Sequence, residues 1–205
     1  MPPRGAFTTI SSGRLHYVDC GTGQAILMIH GLGGNLGHFD CGLIDDLARD
    51  FRVVAIDRPG SGYSERSPGA PANIRAQARQ VAEVIEKLEI DNPLVVGHSL
   101  GGAVALALAL EKPELVRGLA LLAPLSLTPK DSLEIFEDYR INSDLQRWIT
   151  SWTTAIPRML RHPEPVRQEV FGPDPMPADY AVRGGGLLAL RPGAFYNASR
   201  DFMAM

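Results

Sequence analysis

Four short runs with almost no polar residue constrain this chain more than anything else in it: Ala25–Ile29 (AILMI), Val53–Ile56 (VVAI), Leu94–Val96 (LVV) and Leu119–Leu122 (LALL). Runs of this length without polar alternation suit strands buried on both faces, which a parallel sheet requires. The segments between them have helical spacing. Ile74, Ala78, Val81, Ala82, Ile85 and Leu88 form one apolar stripe, Arg75, Arg79, Glu83 and Glu86 face the other way, and Asn73 stands where an N-cap is needed. Ala103–Leu110 is apolar all round, which predicts a largely buried central helix stopped near Pro113. An earlier helix is expected from Leu36 to Arg49, with His38 near its start and Phe39, Leu43 and Leu47 inward, although Gly42 weakens it. Strand and helix in alternation give an α/β domain with a mostly parallel sheet. The beginning differs, because Phe7–Ile10 and Arg14–Val18 flank Ser11, Ser12 and Gly13 and read as an antiparallel hairpin at the sheet edge.

Beyond Pro124 the pattern changes. Nine of the fourteen aromatic residues fall between Leu125 and Met205, and only Leu187–Leu190 offers another strand-like run. Leu145, Trp148, Ile149, Trp152 and Ile156 recur on one helical face, while Pro163, Pro165, Pro173, Pro175 and Pro177 divide the rest into short pieces. The expected organisation is an α/β core over residues 1–124 and a helical cap or lid over 125–205.

The balance of residues narrows the function classes. A chain of 205 residues with 45% hydrophobic and 21% charged residues can bury a sizeable core, and a net charge of -3 creates no field that attracts nucleic acid or an anionic membrane. Cys20 and Cys41 are too few for a disulfide framework and lack zinc-site spacing, so they are expected as small buried residues. The amino terminus has no apolar core of the signal-peptide kind, and Ala103–Leu110 is far short of a membrane span. A cytoplasmic location is therefore the expectation.

Chemistry concentrates after the strands. Gly97-His98-Ser99-Leu100-Gly101 follows LVV and opens the apolar helix, a strand–tight turn–helix arrangement that lifts a hydroxyl into the open as a nucleophile. The helix amino terminus adds partial positive charge there, and the Leu100 N–H can face an oxyanion. His30-Gly31-Leu32-Gly33-Gly34 follows AILMI, and such a glycine-rich loop can turn the Leu32 N–H toward the same point. A phosphate-binding reading fails, because the loop lacks GxGxxG order and a Walker lysine.

With Asp57-Arg58-Pro59-Gly60-Ser61-Gly62-Tyr63-Ser64 after VVAI, these motifs make the chain resemble the α/β-hydrolase family, in particular its capped esterase-like and carbon–carbon-hydrolase-like members. The resemblance covers Phe7 to Leu122 well and the cap only loosely. It implies Ser99 as nucleophile, Leu32 and Leu100 as main-chain oxyanion donors, Asp57 and His30 as structural residues, and no metal or organic cofactor. A serine at this position, where the dehalogenase and epoxide-hydrolase branches carry a carboxylate nucleophile, argues against those branches.

Family order places an acid and then a histidine after the serine. Among His16, His30, His38, His98 and His162 only the last follows Ser99, and it falls at a predicted helix end in the cap. Asp131, Asp138, Asp144, Asp174 and Asp179 follow the serine without a histidine to orient. The chain is thus expected to stop before the closing strands, leaving an open sheet edge for a second copy or a complementing chain. The leading expectation is a serine hydrolase scaffold for a small or medium apolar ester or related acyl compound, with Trp148 and Trp152 as candidates for lining an acyl pocket. Carbon–carbon bond hydrolysis and perhydrolysis stay open on the same scaffold, and a non-catalytic binding protein is the alternative from another class.

Overall fold

The structure, a computed structural model, describes residues 2–126 and 134–205. Strands β1 (Ala6–Ile10), β2 (Gly13–Cys20), β3 (Ala25–Ile29), β4 (Arg52–Ile56), β5 (Leu94–His98) and β6 (Gly118–Leu122) form one sheet in the order β1-β2-β4-β3-β5-β6. β1 and β2 make the expected antiparallel hairpin, β2 also runs antiparallel to β4, and the β4-β3-β5-β6 part is parallel throughout. All four apolar runs are strands. Their alternate residues feed two cores: Leu27, Ile29, Val54, Ile56 and Val95 pack on one side, while Ile26, Met28, Val53, Ala55 and Val96 pack on the other. In β3, β4 and β5 burial on both faces is why polar alternation is missing; β6, at the sheet edge, is only half-buried.

The register fixes where chemistry can occur. Ile29 lies level with Ile56 and with Gly97, and Gly97 with Leu121, so β3 to β6 end along one rim. The loops that start at His30, Asp57, Ser99 and Ala123 therefore leave the sheet side by side, the usual place for a site in a parallel sheet. β6 ends the sheet, with no further strand on its outer edge among the described residues.

Three helices flank the strands. In α2 (Ile74–Lys87) the Asn73 side chain accepts the Ala76 N–H at 2.9 Å, and Ala78, Val81, Ala82 and Ile85 are buried. α3 (Leu100–Glu111) ends before Pro113; Leu100–Ala105 and Leu108 are buried, whereas Leu110 is 83% exposed, so the helix is not buried all round. The single helix expected over 36–49 is instead a 3₁₀ turn at Leu36–His38 and a five-residue α1 (Leu43–Leu47). Gly42 breaks it with φ at +102°, which rotates Leu43 outward and Ile44 into the core. His38 accordingly closes a turn rather than opening a helix. Cys20 is half-buried and Cys41 exposed, so neither is the deeply buried residue expected.

The later residues are helical: a 3₁₀ stretch at Glu134–Tyr139, α4 (Asp144–Thr150), a π turn at Ser151–Ala155, α5 (Ile156–Arg161), α6 (Glu164–Phe171), α7 (Gly186–Ala189) and α8 (Pro192–Met203). The strand candidate Leu187–Leu190 belongs to α7 and its end. Leu145, Trp148, Ile149 and Trp152 do share a face, yet that face is exposed; Arg147, Ser151 and Ala155 are the buried side. The inversion has a polar cause. The Arg147 guanidinium donates to Ser199 Oγ at 2.9 Å and to the Ile141 carbonyl, and also pairs with Asp144, so its charge is satisfied inside. Among the described residues no helix is long and apolar enough to cross a membrane.

Candidate active site

Ser99 sits on the single residue between β5 and α3, with φ at +51° and ψ at −117°. A serine in this region stores about 1–3 kcal/mol of strain, which persists only because the surroundings fix it. They do so through the backbone: the Ser99 N–H donates to Leu122 O at 3.0 Å, and Ser99 O accepts the N–H of Gly102 at 2.9 Å and of Leu125 at 2.9 Å. The glycines permit the bend. A Cβ on Gly97 would lie 2.6 Å from the Gly101 carbonyl oxygen, and one on Gly101 would lie 2.2 Å from that of Ile29.

The glycine-rich loop after β3 stands directly against the serine, since a Cβ on Gly31 would come within 3.1 Å of Ser99 Cβ and 3.1 Å of His98 Nδ1. The structure thus brings together Ser99, Leu100 at the start of α3, and the loop that carries Leu32. Neither the Leu32 nor the Leu100 N–H has a hydrogen-bond acceptor among the described residues, and Ser99 Oγ has no partner there either. Free main-chain donors beside a raised hydroxyl are what an oxyanion site needs.

His30 is a fixed part of this loop. Its Nδ1–H donates to Gly31 O at 2.8 Å, its Nε2 accepts the Arg58 N–H at 3.0 Å, and complete burial together with the Arg58 charge holds its pKa well below the ordinary range. It is a neutral imidazole with both nitrogens committed. His38 is also held neutral, its pKa pushed down to about 4 by burial, with the His98 ring adding to the shift, and its Nε2 meets Tyr180 Oη at 3.1 Å. His98 lies beside Gly31, and burial lowers its pKa too. His16 pairs with Asp57 at 2.7 Å on the far side of the motif after β4, and His162 is exposed at the end of α5. Among the described residues no histidine is hydrogen-bonded to Ser99 Oγ.

Asp57 is saturated by structural contacts: one oxygen accepts the Leu36 N–H at 2.7 Å, the other the Tyr63 N–H at 2.8 Å and the His16 ring. Of the later acids, Asp138 pairs with Arg158 and Asp144 with Arg147, while Asp131 lies outside the described residues. Trp148 and Trp152 are 56% and 62% exposed. Neither lines the cavity of about 310 Å³ between Arg4, His16, Asn35, Tyr63 and Leu188, or that of about 420 Å³ beside Glu164 and Met176, and Ser99 lines neither cavity. The helical residues reach the same rim through polar contacts: Asn35 Nδ2 donates to Gly185 O at 3.0 Å, and Arg191 donates to Gly62 O at 2.8 Å.

Residues that the sequence reading passed over complete this layout. Arg58, inside the motif after β4, is wholly buried and reaches Asp201 in α8 at 2.7 Å; Gln77 joins them at 2.6 Å. Arg58 was within view as part of a motif, whereas Asp201, 143 positions away, carried no signal.

Residues 24–156 match the model for the alpha/beta hydrolase fold, and the chain belongs to that family. It is similar to haloalkane dehalogenase 2 of Mycobacterium bovis, 40% identical over 111 residues, which is 54% of this chain and 38% of that one. It is equally similar, at 40% over 111 residues, to the 2-hydroxymuconate semialdehyde hydrolase of Pseudomonas sp. strain CF600, covering 53% of this chain and 39% of the relative. Among solved structures, the epoxide hydrolase CorEH superposes with a TM-score of 0.77 at 22% identity over 98% of this chain and 73% of its own, a likeness of fold alone. The chain spans well under half the length of the curated relatives it matches.

Proposed function

We propose that this α/β hydrolase uses Ser99 as a nucleophile on a small or medium apolar ester or related acyl compound. The carbonyl carbon would be attacked by Ser99 Oγ, and the Leu32 and Leu100 N–H groups would take up the charge that develops on its oxygen. Residues 125–205 would cover the rim as a cap. The observation that carries this reading is the positive φ of Ser99 with the Gly31 backbone against it, a strained geometry that an ordinary glycine-rich turn does not need. Esters and acyl compounds fit because a serine hydroxyl beside main-chain donors suits attack on a carbonyl, and carbon–carbon bond hydrolysis stays open on the same scaffold.

A second reading is favoured by one specific observation: among the described residues no histidine is hydrogen-bonded to Ser99 Oγ, and His16, His30 and His38 are committed to other partners. On this reading the protein binds an acyl compound without turning it over, or a second chain aligned on the β6 edge supplies the proton acceptor. Loss of triad members in a well-studied serine protease still leaves about 10³–10⁴-fold over water. Incubation with a fluorophosphonate followed by mass mapping distinguishes the readings. Labelling at Ser99 within minutes supports the nucleophile, and no adduct at millimolar probe supports the binding protein. Labelling that rises with protein concentration supports the second chain.

A further inference from the structure

Gly31 C=O and Leu32 N–H belong to one peptide unit. In a trans peptide these two groups point in opposite directions, so whatever grips the carbonyl also aims the N–H. Three donors grip it here: His30 Nδ1 at 2.8 Å, Arg58 Nη2 at 2.8 Å and the Gly34 N–H at 3.3 Å. Arg58 is the anchor of the three. Its Nε also donates to His30 O at 2.9 Å, so one rigid guanidinium spans two consecutive carbonyls of the loop. Its Nη1 is in turn held by Gln77 Oε1 at 2.6 Å and Asp201 Oδ2 at 2.7 Å. Side-chain exposure is 0% for Arg58 and 1% for Asp201, so the pair is shielded from bulk solvent.

We infer that Asp201, from the last helix, is a positioning residue for the oxyanion site: through Arg58 it fixes and polarises the Gly31–Leu32 peptide, and so sets the aim and strength of the Leu32 N–H. The inference rests on the proposed role of Leu32. Two physical effects support it. Hydrogen bonds to a carbonyl strengthen the N–H of the same amide as a donor, as in any cooperative chain. A carboxylate facing the guanidinium also stops it from turning to find another acceptor, because a buried charge follows its partner. Asp201 further accepts from Arg66 at 2.6 Å, but Arg66 makes no bond to the loop, so the two cations separate loop aiming from simple helix docking.

The test uses the whole chain, isotopically labelled. In Asp201→Asn the Gly31 carbonyl carbon and the Leu32 amide nitrogen are expected to move upfield while the Leu100 amide stays, and Ser99 labelling by the fluorophosphonate should slow about 10- to 100-fold. In Arg66→Met, which strips a cation from the same carboxylate, those signals and the labelling rate should stay as in the parent protein. Should Asp201→Asn not fold, Gln77→Met gives the same reading at smaller amplitude. Unmoved Gly31 and Leu32 signals in a folded variant overturn the inference. A parent protein that is never labelled at Ser99 overturns the catalytic reading instead, and the shift of the peptide signals then stands on its own.

Discussion

The sheet with its flanking helices and the helical region after it are held by different forces. In β3 every residue is buried and the two cores are continuous and apolar. The helical region has only a small apolar cluster of its own, around Ile141, Ala155 and Phe195; the apolar face of α4 and its π turn is turned outward, and polar contacts join the region to the rim: Asp201 with Arg58 and Arg66, Asn35 with Gly185, Tyr180 with His38. Apolar burial is non-directional and tolerates small shifts, whereas buried charge pairs demand a fixed geometry. The sheet therefore supplies stability, and the helical region supplies register over the rim.

The largest effect expected on this contrast comes from Leu27→Ala, at the centre of the sheet and completely buried. It should remove about 2–5 kcal/mol from the urea unfolding free energy. A loss as small as that of a surface substitution would break the contrast. Next comes acid. His38 is neutral in the fold with a pKa of about 4, against an ordinary value of 6.5, so between those values the unfolded chain binds the extra proton. Stability from this group is complete above about pH 6.5 and falls as pH drops toward 4, on the order of 3 kcal/mol at the lower end. Its neighbours are His30, His98, Asp57 and Tyr180, so the contact between the Leu36–His38 turn and Tyr180 should loosen first; hydrogen exchange at pH 5 should accelerate in α7, whose first N–H groups bond the carbonyls of Tyr180 and Ala181, ahead of β3 and β5.

A smaller effect of opposite sign is expected at the bend. Ser99→Gly removes the penalty of a side chain at φ +51° and should stabilise the chain by about 1 kcal/mol while abolishing fluorophosphonate labelling. Smallest is Trp152→Gln on the outward face, which should change stability by less than about 0.5 kcal/mol and leave labelling at Ser99 as it was. A large loss there would show that the face is covered in solution.

How legible this was follows from the same contrast. The strands and the bend could be read because their signals are local: runs of Ile, Val and Leu, an Asn before an amphipathic stretch, glycines around a serine. The face of α4 could not, because the periodicity that groups Trp148 with Trp152 is blind to which side is inward, and Arg147 goes inside only when Ser199 and the Ile141 carbonyl are there to meet it. For the same reason the Arg58–Asp201 pair was invisible, joining residues far apart in sequence through a contact that neither signals alone.

The serine's own main chain is shared with the rim of the sheet: its N–H ends on Leu122, and its carbonyl receives Leu125. Force applied at the terminal strand therefore arrives at the residue that carries the proposed nucleophile across a single hydrogen bond. Another chain zipped alongside Gly118–Leu122 would act as a splint, stiffening the hook that carries the oxygen without entering the place where a substrate would lie.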